Sequence, residues 1–184
     1  MKEDKIIENL LLFDEEISKE NFLPTKAQCY IVGGSAFILS GMDGRSTRDI
    51  DVLDIDIPKD EIVGLSSILK NHSMNRDVQA YFDKFPSGFA RRSTKLDLDT
   101  KSVDFYILSV EDLVISKLCT TRFSQDVTDI EDPFVINKID WDKLDELAKS
   151  MAYTMVSHFA YDNFLYQYNN FVERFRGKDE RDYD

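Results

Sequence analysis

The segment RDIDVLDIDI, residues 48–57, is the feature that most constrains the fold of this 184-residue chain. Acidic and aliphatic residues alternate through it, which is the period-two pattern of a β-strand. Asp49 and Asp51 are two positions apart, so both carboxylates are expected on one face of that strand. Asp54 and Asp56 continue the alternation in the opposite phase and are expected at a solvated strand end. The chain must therefore build a sheet that presents a pair of neighbouring carboxylates.

A second strand and a helix are predicted directly before this segment. CYIVGG, residues 29–34, is a short apolar run that ends in two glycines, which is typical of a buried strand entering a turn. SAFILSGM follows it and favours a helix with Ser35 as its N-cap. The order is therefore strand, glycine turn, helix and acidic strand.

Periodicity predicts further elements along the chain. They are a helix over 4–18, a helix after Pro58, possible short strands at GFARRS and KLDLD, a strand over 102–109, a helix at VEDLVISKLCTTR, and one or two amphipathic helices over 141–176. This order predicts an α/β (α+β) fold with a short mixed sheet flanked by helices and a helical C-terminal extension. We expect a domain at 1–140, the extension at 141–176 and a frayed tail at 177–184.

The charge balance excludes binding to nucleic acid through bulk charge. Lys and Arg number 23 against 35 Asp and Glu, a net charge of −12, whereas phosphate neutralisation needs clustered cations. A local basic cluster, Arg91, Arg92 and Lys95, is the patch through which RNA could bind, and a solvated surface explains it equally well.

The apolar content of the chain predicts a cytoplasmic protein without membrane contact. No stretch approaches the roughly 18 apolar residues that span a bilayer, and acids follow the short apolar run near the start, where a signal peptide would carry small residues. Cys29 and Cys119 lie in apolar surroundings and are expected to be buried free thiols. His72 and His158 have no partner at ligand spacing, so we assign neither to a metal.

The paired aspartates indicate a metal site. Asp49 and Asp51 repel and raise one another's pKa unless a cation lies between them, and Mg²⁺ commonly takes one or two carboxylates together with substrate phosphates. Asp104, on the strand predicted over 102–109, is a third candidate ligand. Three carboxylates from adjacent strands could hold two metal ions.

The turn Gly33, Gly34 and Ser35 is a candidate phosphate cradle. Glycines allow the backbone to approach a polyphosphate closely, and the amides at a helix N-terminus favour an anion. A strand, a glycine turn and a helix, followed about fifteen residues later by a carboxylate pair, form an arrangement that suits phosphate chemistry.

Two blocks of the sequence resemble a known superfamily. GGSAFILSGMDGRSTRDIDV resembles the first signature of the nucleotidyltransferases of the DNA polymerase β superfamily. EDLVISKLCTTRFSQDVTDI, residues 111–130, resembles a block of the AbiEii-type and related DUF6036-like minimal nucleotidyltransferases, many of them encoded in toxin–antitoxin or phage-defence operons. The two blocks occur in the family's order and cover residues 30–130.

This resemblance implies roles for individual residues in the first block and in the following helix. It implies Gly34 and Ser35 as contacts of the nucleotide phosphates and Asp49 and Asp51 as metal ligands. It also implies that Lys117 reaches the triphosphate of the nucleotide.

The resemblance leaves the later acids open. Asp126 or Asp129 would be the late acid of the second block, within the nucleotide site. Asp104 fits the superfamily's third carboxylate, and Asp97 and Asp99 in KLDLD compete with it.

The expected reaction is Mg²⁺-dependent transfer of a nucleoside monophosphate from an NTP to a hydroxyl or phosphate acceptor, on an RNA end, a protein or a small molecule. Such transfer depends on positioning and charge neutralisation, for which Lys117 and the flanking Arg45 and Arg48 supply cations. Asp49, Asp51, Asp104 and Lys117 are the predicted catalytic residues.

Two alternatives remain open. One is a catalytically retired transferase fold that binds a partner, such as an antitoxin-like protein or a second copy, for which the aromatic series over 153–175 offers a surface if the core does not absorb it. The other is a small-molecule transferase of the antibiotic-modifying type, in which an acidic surface attracts a cationic acceptor.

Overall fold

Helices and strands alternate along the chain. The structure is a computed structural model that describes residues 1–19, 25–57, 64–120 and 128–177. The elements in chain order are α1 (Glu3–Lys19), β1 (Ala27–Val32), α2 (Gly33–Leu39), β2 (Ile50–Ile55), α3 (Leu65–Asn71), β3 (Met74–Asn75), a 3-10 helix (Asp77–Lys84), α4 (Phe89–Arg92), β4 (Thr94–Lys95), β5 (Val103–Ile107), α5 (Val110–Leu118), α6 (Pro133–Ile136), α7 (Trp141–Ser150), a second 3-10 helix (Met151–Tyr153) and α8 (His158–Phe175). They belong to two compact units, the first formed by residues 1–80 and 90–108 and the second by residues 81–89 and 109–184.

The first unit contains a five-stranded sheet in the order β3-β2-β1-β5-β4. β1 pairs antiparallel with β2 and parallel with β5, while β2 pairs parallel with β3 and β5 antiparallel with β4. The predicted mixed sheet flanked by helices is confirmed.

The core of the first unit forms between α1 and one face of the sheet. Ile6, Leu10 and Phe13 of α1 are fully buried, and the Phe13 ring meets Phe105 of β5 edge-on at 6.4 Å between centroids. The 3.6-residue period of α1 thus places an apolar stripe on the strands that carry the site.

A buried carboxylate ties α1 to the start of β5. Asp14 Oδ1 accepts hydrogen bonds from the backbone N–H groups of Ser102 at 2.8 Å and Val103 at 2.7 Å. Asp14 Oδ2 accepts one from the Lys101 N–H at 2.8 Å. Charge-assisted bonds of this kind satisfy backbone donors that a strand start otherwise leaves open.

A β-bulge in β2 alters the expected phase of the acidic residues. Val32 pairs with Asp51 and Tyr30 with Asp54, so Leu53 is an extra residue on β2. Val32 and Tyr30 share one face of β1 because they are two residues apart, and their partners therefore share it as well. The expectation that Asp54 is in the opposite phase to Asp51 is wrong, because the extra residue of the bulge places both aspartates on the same face of the sheet.

We call the sheet face that carries Gln28, Tyr30, Asp51, Asp54, Asp104 and Tyr106 the polar face. Tyr30 and Tyr106, paired in register, stack with ring centroids 5.3 Å apart, and the Tyr30 hydroxyl donates to Gln28 Oε1 at 2.8 Å. The opposite face carries Cys29 and buried apolar residues such as Phe105. The alternation of side chains thus separates the core of the first unit from a face lined with carboxylates.

The second unit is helical. Ser109 caps α5 by accepting a hydrogen bond from the Asp112 N–H, and the buried Glu111 carboxylate accepts one from Lys143 Nζ of α7 at 2.6 Å. On α8, Phe164 and Phe171 are buried at helical spacing, and Phe171 lies 5.9 Å from the Trp141 ring. The helices predicted over 141–176 are confirmed as α7 and α8.

Two short segments differ from the predicted strands. GFARRS is helical in α4, because Ala and Arg are good helix formers and Gly88, at φ +76°, provides the turn before it. In KLDLD only Lys95 belongs to a strand, and Leu98 N–H donates to Leu96 O at 3.0 Å, a tight turn that ends the pairing.

The expected division into residues 1–140 and 141–176 stays a prediction. Residues 178–184 of the expected tail lie outside the described residues. Among the described helices, none combines the length and the apolar character needed to cross a membrane.

Candidate active site

The turn between β1 and α2 begins with a glycine in the left-handed region. Gly33 has φ +65° and is the first residue of α2, so the N-cap is Val32, which has no side-chain cap. The prediction that Ser35 is the N-cap is wrong, because the left-handed glycine lets the helix begin directly after the strand. Ser35 is fully buried in the first turn, and its Oγ donates to Val32 O at 2.9 Å. The buried Ser35 hydroxyl therefore stabilises the turn through this bond to its backbone.

The Asp51 carboxylate lies directly against Gly33. The pairing of Asp51 with Val32 brings β2 beside the turn. A Cβ on Gly33 would collide with Asp51 Oδ2 and would lie 3.2 Å from its Cγ. Position 33 is thus restricted to glycine both by its φ and by this carboxylate.

The Arg45 guanidinium lies against Gly34. A Cβ on Gly34 would meet Arg45 Nη2 at 2.8 Å and Nε at 3.1 Å. A cation and an anion therefore contact consecutive residues of one turn. The sequence predicts Arg45 only as a flank of the acidic strand, and nothing in the loop MDGRSTRD distinguishes it from Arg48, which is exposed.

Asp49 lies just before β2 and lines a cleft. Thr47 Oγ1 donates to the Asp49 carbonyl at 3.0 Å, which fixes the backbone at this point. The half-buried Asp49 lines an open cleft of about 450 Å³ in the first unit. Lys70 and Arg76 line the same cleft. Asp49 thus lies at a cleft and Asp51, two residues further on, at the glycine turn. That the two carboxylates share one face stays a prediction.

Asp104 is engaged by two lysines. Lys95 Nζ lies 2.7 Å from its Oδ2 and Lys26 Nζ lies 3.4 Å from its Oδ1. Burial alone would raise the pKa of Asp104, but the hydrogen bond from Lys95 and the charges of Lys95 and Lys26 lower it below its ordinary value. The carboxylate is therefore held ionised by neighbouring cations.

The register of the sheet separates Asp104 from Asp51. Asp104 pairs with Gln28, whereas Asp51 pairs with Val32, four residues further along β1. At about 3.3 Å per residue the two levels differ by about 13 Å along the strand. The structure does not bring Asp104 to the Asp51 carboxylate. Asp97 and Asp99, the competing acids, are exposed and follow β4.

Lys117 and Asp129 form an ion pair within the second unit. Lys117 Nζ on α5 lies 3.2 Å from the buried Asp129 Oδ2, and the Lys117 side chain is itself largely buried. The structure thus brings together the lysine and one of the two acids that the resemblance assigns to the nucleotide site. Asp126 lies outside the described residues.

A complete cage of protein ligands is absent from the described part of the chain. Residues 1–19, 25–57, 64–120 and 128–177 contain no group of three or more His, Cys, Asp and Glu side chains that could hold a metal ion. The two aspartates at the start of β2 nevertheless offer the hard oxygen donors that suit Mg²⁺, which commonly completes its shell with water and substrate phosphates.

The first unit thus combines a mixed sheet with a Gly-Gly turn, an aspartate against that turn and a second aspartate two residues earlier. The chain belongs to the family described as nucleotidyltransferase of unknown function (DUF6036), whose family model matches residues 8–176. The resemblance to DUF6036-like proteins is thereby confirmed.

The fold is also similar to that of a solved structure. The crystal structure of an antigenic nucleotidyltransferase-like protein from Paracoccidioides brasiliensis superposes with a TM-score of 0.51, covering 95% of this chain and 90% of that chain at 16% identity. At this identity the likeness shows the fold alone. No protein among those with curated functions matches the sequence.

Proposed function

We propose that this protein is a Mg²⁺-dependent nucleotidyltransferase that moves a nucleoside monophosphate from an NTP to a hydroxyl or phosphate acceptor. The observation that carries the proposal is the contact of Asp51 and Arg45 with the consecutive glycines 33 and 34. An anion of the type that suits Mg²⁺ and a cation of the type that suits phosphate thus contact one turn. Membership of the DUF6036 family supports the same class of reaction.

In this proposal Asp49 and Asp51 hold the metal. When bound, Mg²⁺ would neutralise the phosphate charge and polarise the α-phosphate. A second ion with Asp104 as a ligand is less well supported, because the register separates Asp104 from Asp51 and two lysines engage its carboxylate.

The nucleotide phosphates are proposed to lie on the glycine turn. Because Gly33 and Gly34 carry no Cβ, the Asp51 carboxylate and the Arg45 guanidinium reach the turn itself, and Arg45 with the exposed Arg48 supplies positive charge for the phosphates. The Ser35 hydroxyl already donates to Val32 O, so its proposed contribution is to hold the turn rather than to bind phosphate directly.

Lys117 remains a proposed contact of the triphosphate. Its ion pair with the buried Asp129 would fix the ammonium group in one position, and a positioned charge costs less reorganisation when the substrate binds. Asp126 keeps its proposed role as the alternative late acid.

The proposed chemistry is a direct displacement at phosphorus. The acceptor oxygen forms a bond to the α-phosphorus, the bond from the α-phosphorus to the bridging oxygen breaks, and pyrophosphate leaves with the electron pair. For a hydroxyl acceptor, the proton passes to water. The protein supplies position and charge without a covalent intermediate.

A labelling experiment tests the proposal. Each of the four α-labelled NTPs is incubated with Mg²⁺, total RNA and the protein, and label is measured on RNA, on protein and on small molecules. We expect label with wild type and none with the double variant Asp49→Ala/Asp51→Ala. Asp54→Ala is the matched control, because Asp54 lies on the same strand and face as Asp51 but three residues away, beyond the bulge. Label that persists in the double variant would contradict the proposal.

A partner-binding module that acts within a toxin–antitoxin or defence system is the second candidate. Tyr153, Val156 and Phe159 are 94%, 85% and 77% exposed, which is unusual for adjacent apolar side chains and suits a protein partner or a homodimer. If no NTP labels any acceptor and the double variant keeps its partner and its cellular phenotype, this candidate replaces the transferase.

A further inference from the structure

We propose that the cleft beside Asp49 is the acceptor site, and that it takes a nucleotide whose reacting hydroxyl is flanked by its own phosphate. The two sources of this chemistry are a free mononucleotide and the 3′-terminal nucleotide of an RNA strand. The proposal rests on the proposed nucleotidyl transfer and names its acceptor class.

The strand pairing places this cleft directly beside the acidic strand. β3 pairs with the start of β2, with Met74 opposite Ile50 and Asn75 opposite Asp51. Neighbouring strands lie about 4.8 Å apart and Asp49 itself lines the cleft, so a molecule bound there lies beside the start of β2. The cleft volume of about 450 Å³ falls within the range of about 300–1,000 Å³ that small-molecule sites occupy.

The charges of the cleft favour an anion. Lys70 lies exposed at one side, and Arg76 is half-buried, with a buried Nε for which no hydrogen-bond acceptor is found within the described residues. A buried donor without an acceptor is costly, and a ligand phosphate would satisfy it.

The acids of the cleft, Asp49 and Asp77, balance these cations formally. Asp49 is the proposed metal ligand, so metal binding leaves Lys70 and Arg76 in excess. This balance opposes a cationic acceptor of the antibiotic type.

The remaining lining suits a nucleoside. The buried side chains of Leu69 and Met74 form an apolar wall for a base. Asn75 Oδ1 already accepts a hydrogen bond from the Asp77 N–H at 2.8 Å, which leaves its amide NH₂ group to face a sugar or base. The hydroxyl of Ser73 lines the same cleft.

The glycine turn and the cleft would therefore each hold one substrate of the reaction. The NTP lies on the glycine turn with Arg45, and the acceptor lies in the cleft with its phosphate on Arg76 and Lys70. The acceptor hydroxyl then lies on the Asp49 side of the cleft and its oxygen bonds to the α-phosphorus. The bond from the α-phosphorus to the bridging oxygen breaks, the hydroxyl proton passes to water, and pyrophosphate leaves. In this arrangement Lys70 and Arg76 are positioning residues for the acceptor.

The test measures acceptor binding separately from transfer. Fluorescently labelled AMP and a labelled hexa-adenylate serve as probes, each titrated by anisotropy at several salt concentrations. For each probe that wild type binds, we expect Lys70→Ala/Arg76→Gln to raise the Kd about tenfold. For hexa-adenylate, the slope of log K against log salt should fall by about 0.7 for each phosphate that the variant no longer neutralises. Lys149→Ala, which removes another exposed helix lysine, is the matched control and should change neither quantity.

A second comparison separates the acceptor site from the nucleotide site. Arg45→Gln should weaken binding of a non-hydrolysable ATP analogue and leave binding of the two probes unchanged. Lys70→Ala/Arg76→Gln should weaken binding of the probes and leave binding of the ATP analogue unchanged. In the transfer reaction, Lys70→Ala/Arg76→Gln should raise the KM for the acceptor with little change in kcat. Binding of AMP alone identifies a mononucleotide acceptor, and binding of hexa-adenylate as well identifies an RNA end.

Each contrary outcome has a distinct meaning. Equal probe binding by wild type and Lys70→Ala/Arg76→Gln, or displacement of the probes by an aminoglycoside at low concentration, would overturn the acceptor site. If transfer is absent while the probes bind and respond to the variants, the proposed function fails and the nucleotide site in the cleft stands.

Discussion

Replacing Gly33 by Ala tests the structural basis of the proposed site most directly. The φ of +65° costs an L-residue about 1–2 kcal/mol in backbone strain. The new Cβ also collides with Asp51 Oδ2, so the carboxylate must leave its place against the turn. We expect the free energy of unfolding to fall by at least this backbone cost, and Mg²⁺-dependent nucleotide binding and transfer to be lost.

Gly64→Ala is the matched variant. Gly64 has φ +83°, so it bears a similar backbone cost, but no described atom lies within 4 Å of its Cβ position. Urea unfolding measures the stability of both variants, and titration with a non-hydrolysable ATP analogue measures binding. Similar losses of stability with a binding defect in Gly33→Ala alone would separate the effect of the displaced carboxylate from that of strain.

Gly34→Ala extends the comparison if Gly33→Ala does not fold. The obstructing group there is the Arg45 guanidinium, the far end of a flexible side chain, which can move. Because Ala is also a better helix former than Gly, the stability should change by less than about 1 kcal/mol while nucleotide affinity falls. The reasoning is refuted if Gly33→Ala, or Gly34→Ala in its place, binds nucleotide within twofold of wild type.

Three further predictions concern stability and reactivity. Asp14→Ala should lower the free energy of unfolding, measured in urea, by about 2–4 kcal/mol, because three backbone N–H groups lose a charged acceptor. A loss below about 1 kcal/mol would show that water replaces the Asp14 carboxylate as the acceptor. Burial by itself raises the pKa of Glu111, but the hydrogen bonds from Lys143 and from the Asp140 N–H lower it on balance. The contribution of this carboxylate to stability is therefore present above the unfolded pKa of about 4.5, and it is lost as pH falls through the lower folded pKa. The stability gap between wild type and Glu111→Gln, measured by urea unfolding at a series of pH values, should therefore close in acid, and a gap that is constant from neutral pH into acid would contradict this. Burial also raises the pKa of the Cys29 thiol far above its usual range. A thiol reagent at pH 8 should therefore modify Cys29 only at the rate at which the protein unfolds. Rapid modification of the native protein would contradict the described core.

Local patterns are sufficient to predict most of the architecture. The apolar runs and the two glycines at 33 and 34 indicate β1, its turn and the helix after it, because a strand and a helix differ in hydrophobic period. The aromatic spacing over 153–175 predicts α8 for the same reason. The acidic pair at the start of β2 stands out in the sequence because two carboxylates at this spacing on a strand repel one another unless a cation lies between them.

Long-range geometry cannot be read from the same patterns. The bulge at Leu53 depends on pairing with β1, and it places Asp54 on the face of Asp51 although local alternation predicts the opposite. The register of β5 is likewise set by its neighbours, so the distance of Asp104 from Asp51 has no local signal. Arg45 and Arg76 become candidates only when the fold places their guanidinium groups beside Gly34 and in the cleft.

The bonds from Asp14 to residues 101–103 bear on the order in which the chain can fold. The paired groups are 87 to 89 residues apart, and β1 finds its parallel partner β5 at a similar separation. Closing a loop of that length costs about 4 kcal/mol by the logarithmic scaling. During synthesis, α1 and β1 emerge well before the strand that completes their core, so the nascent chain exposes their apolar faces until residue 103 has left the ribosome. The first unit should therefore fold late and as a whole.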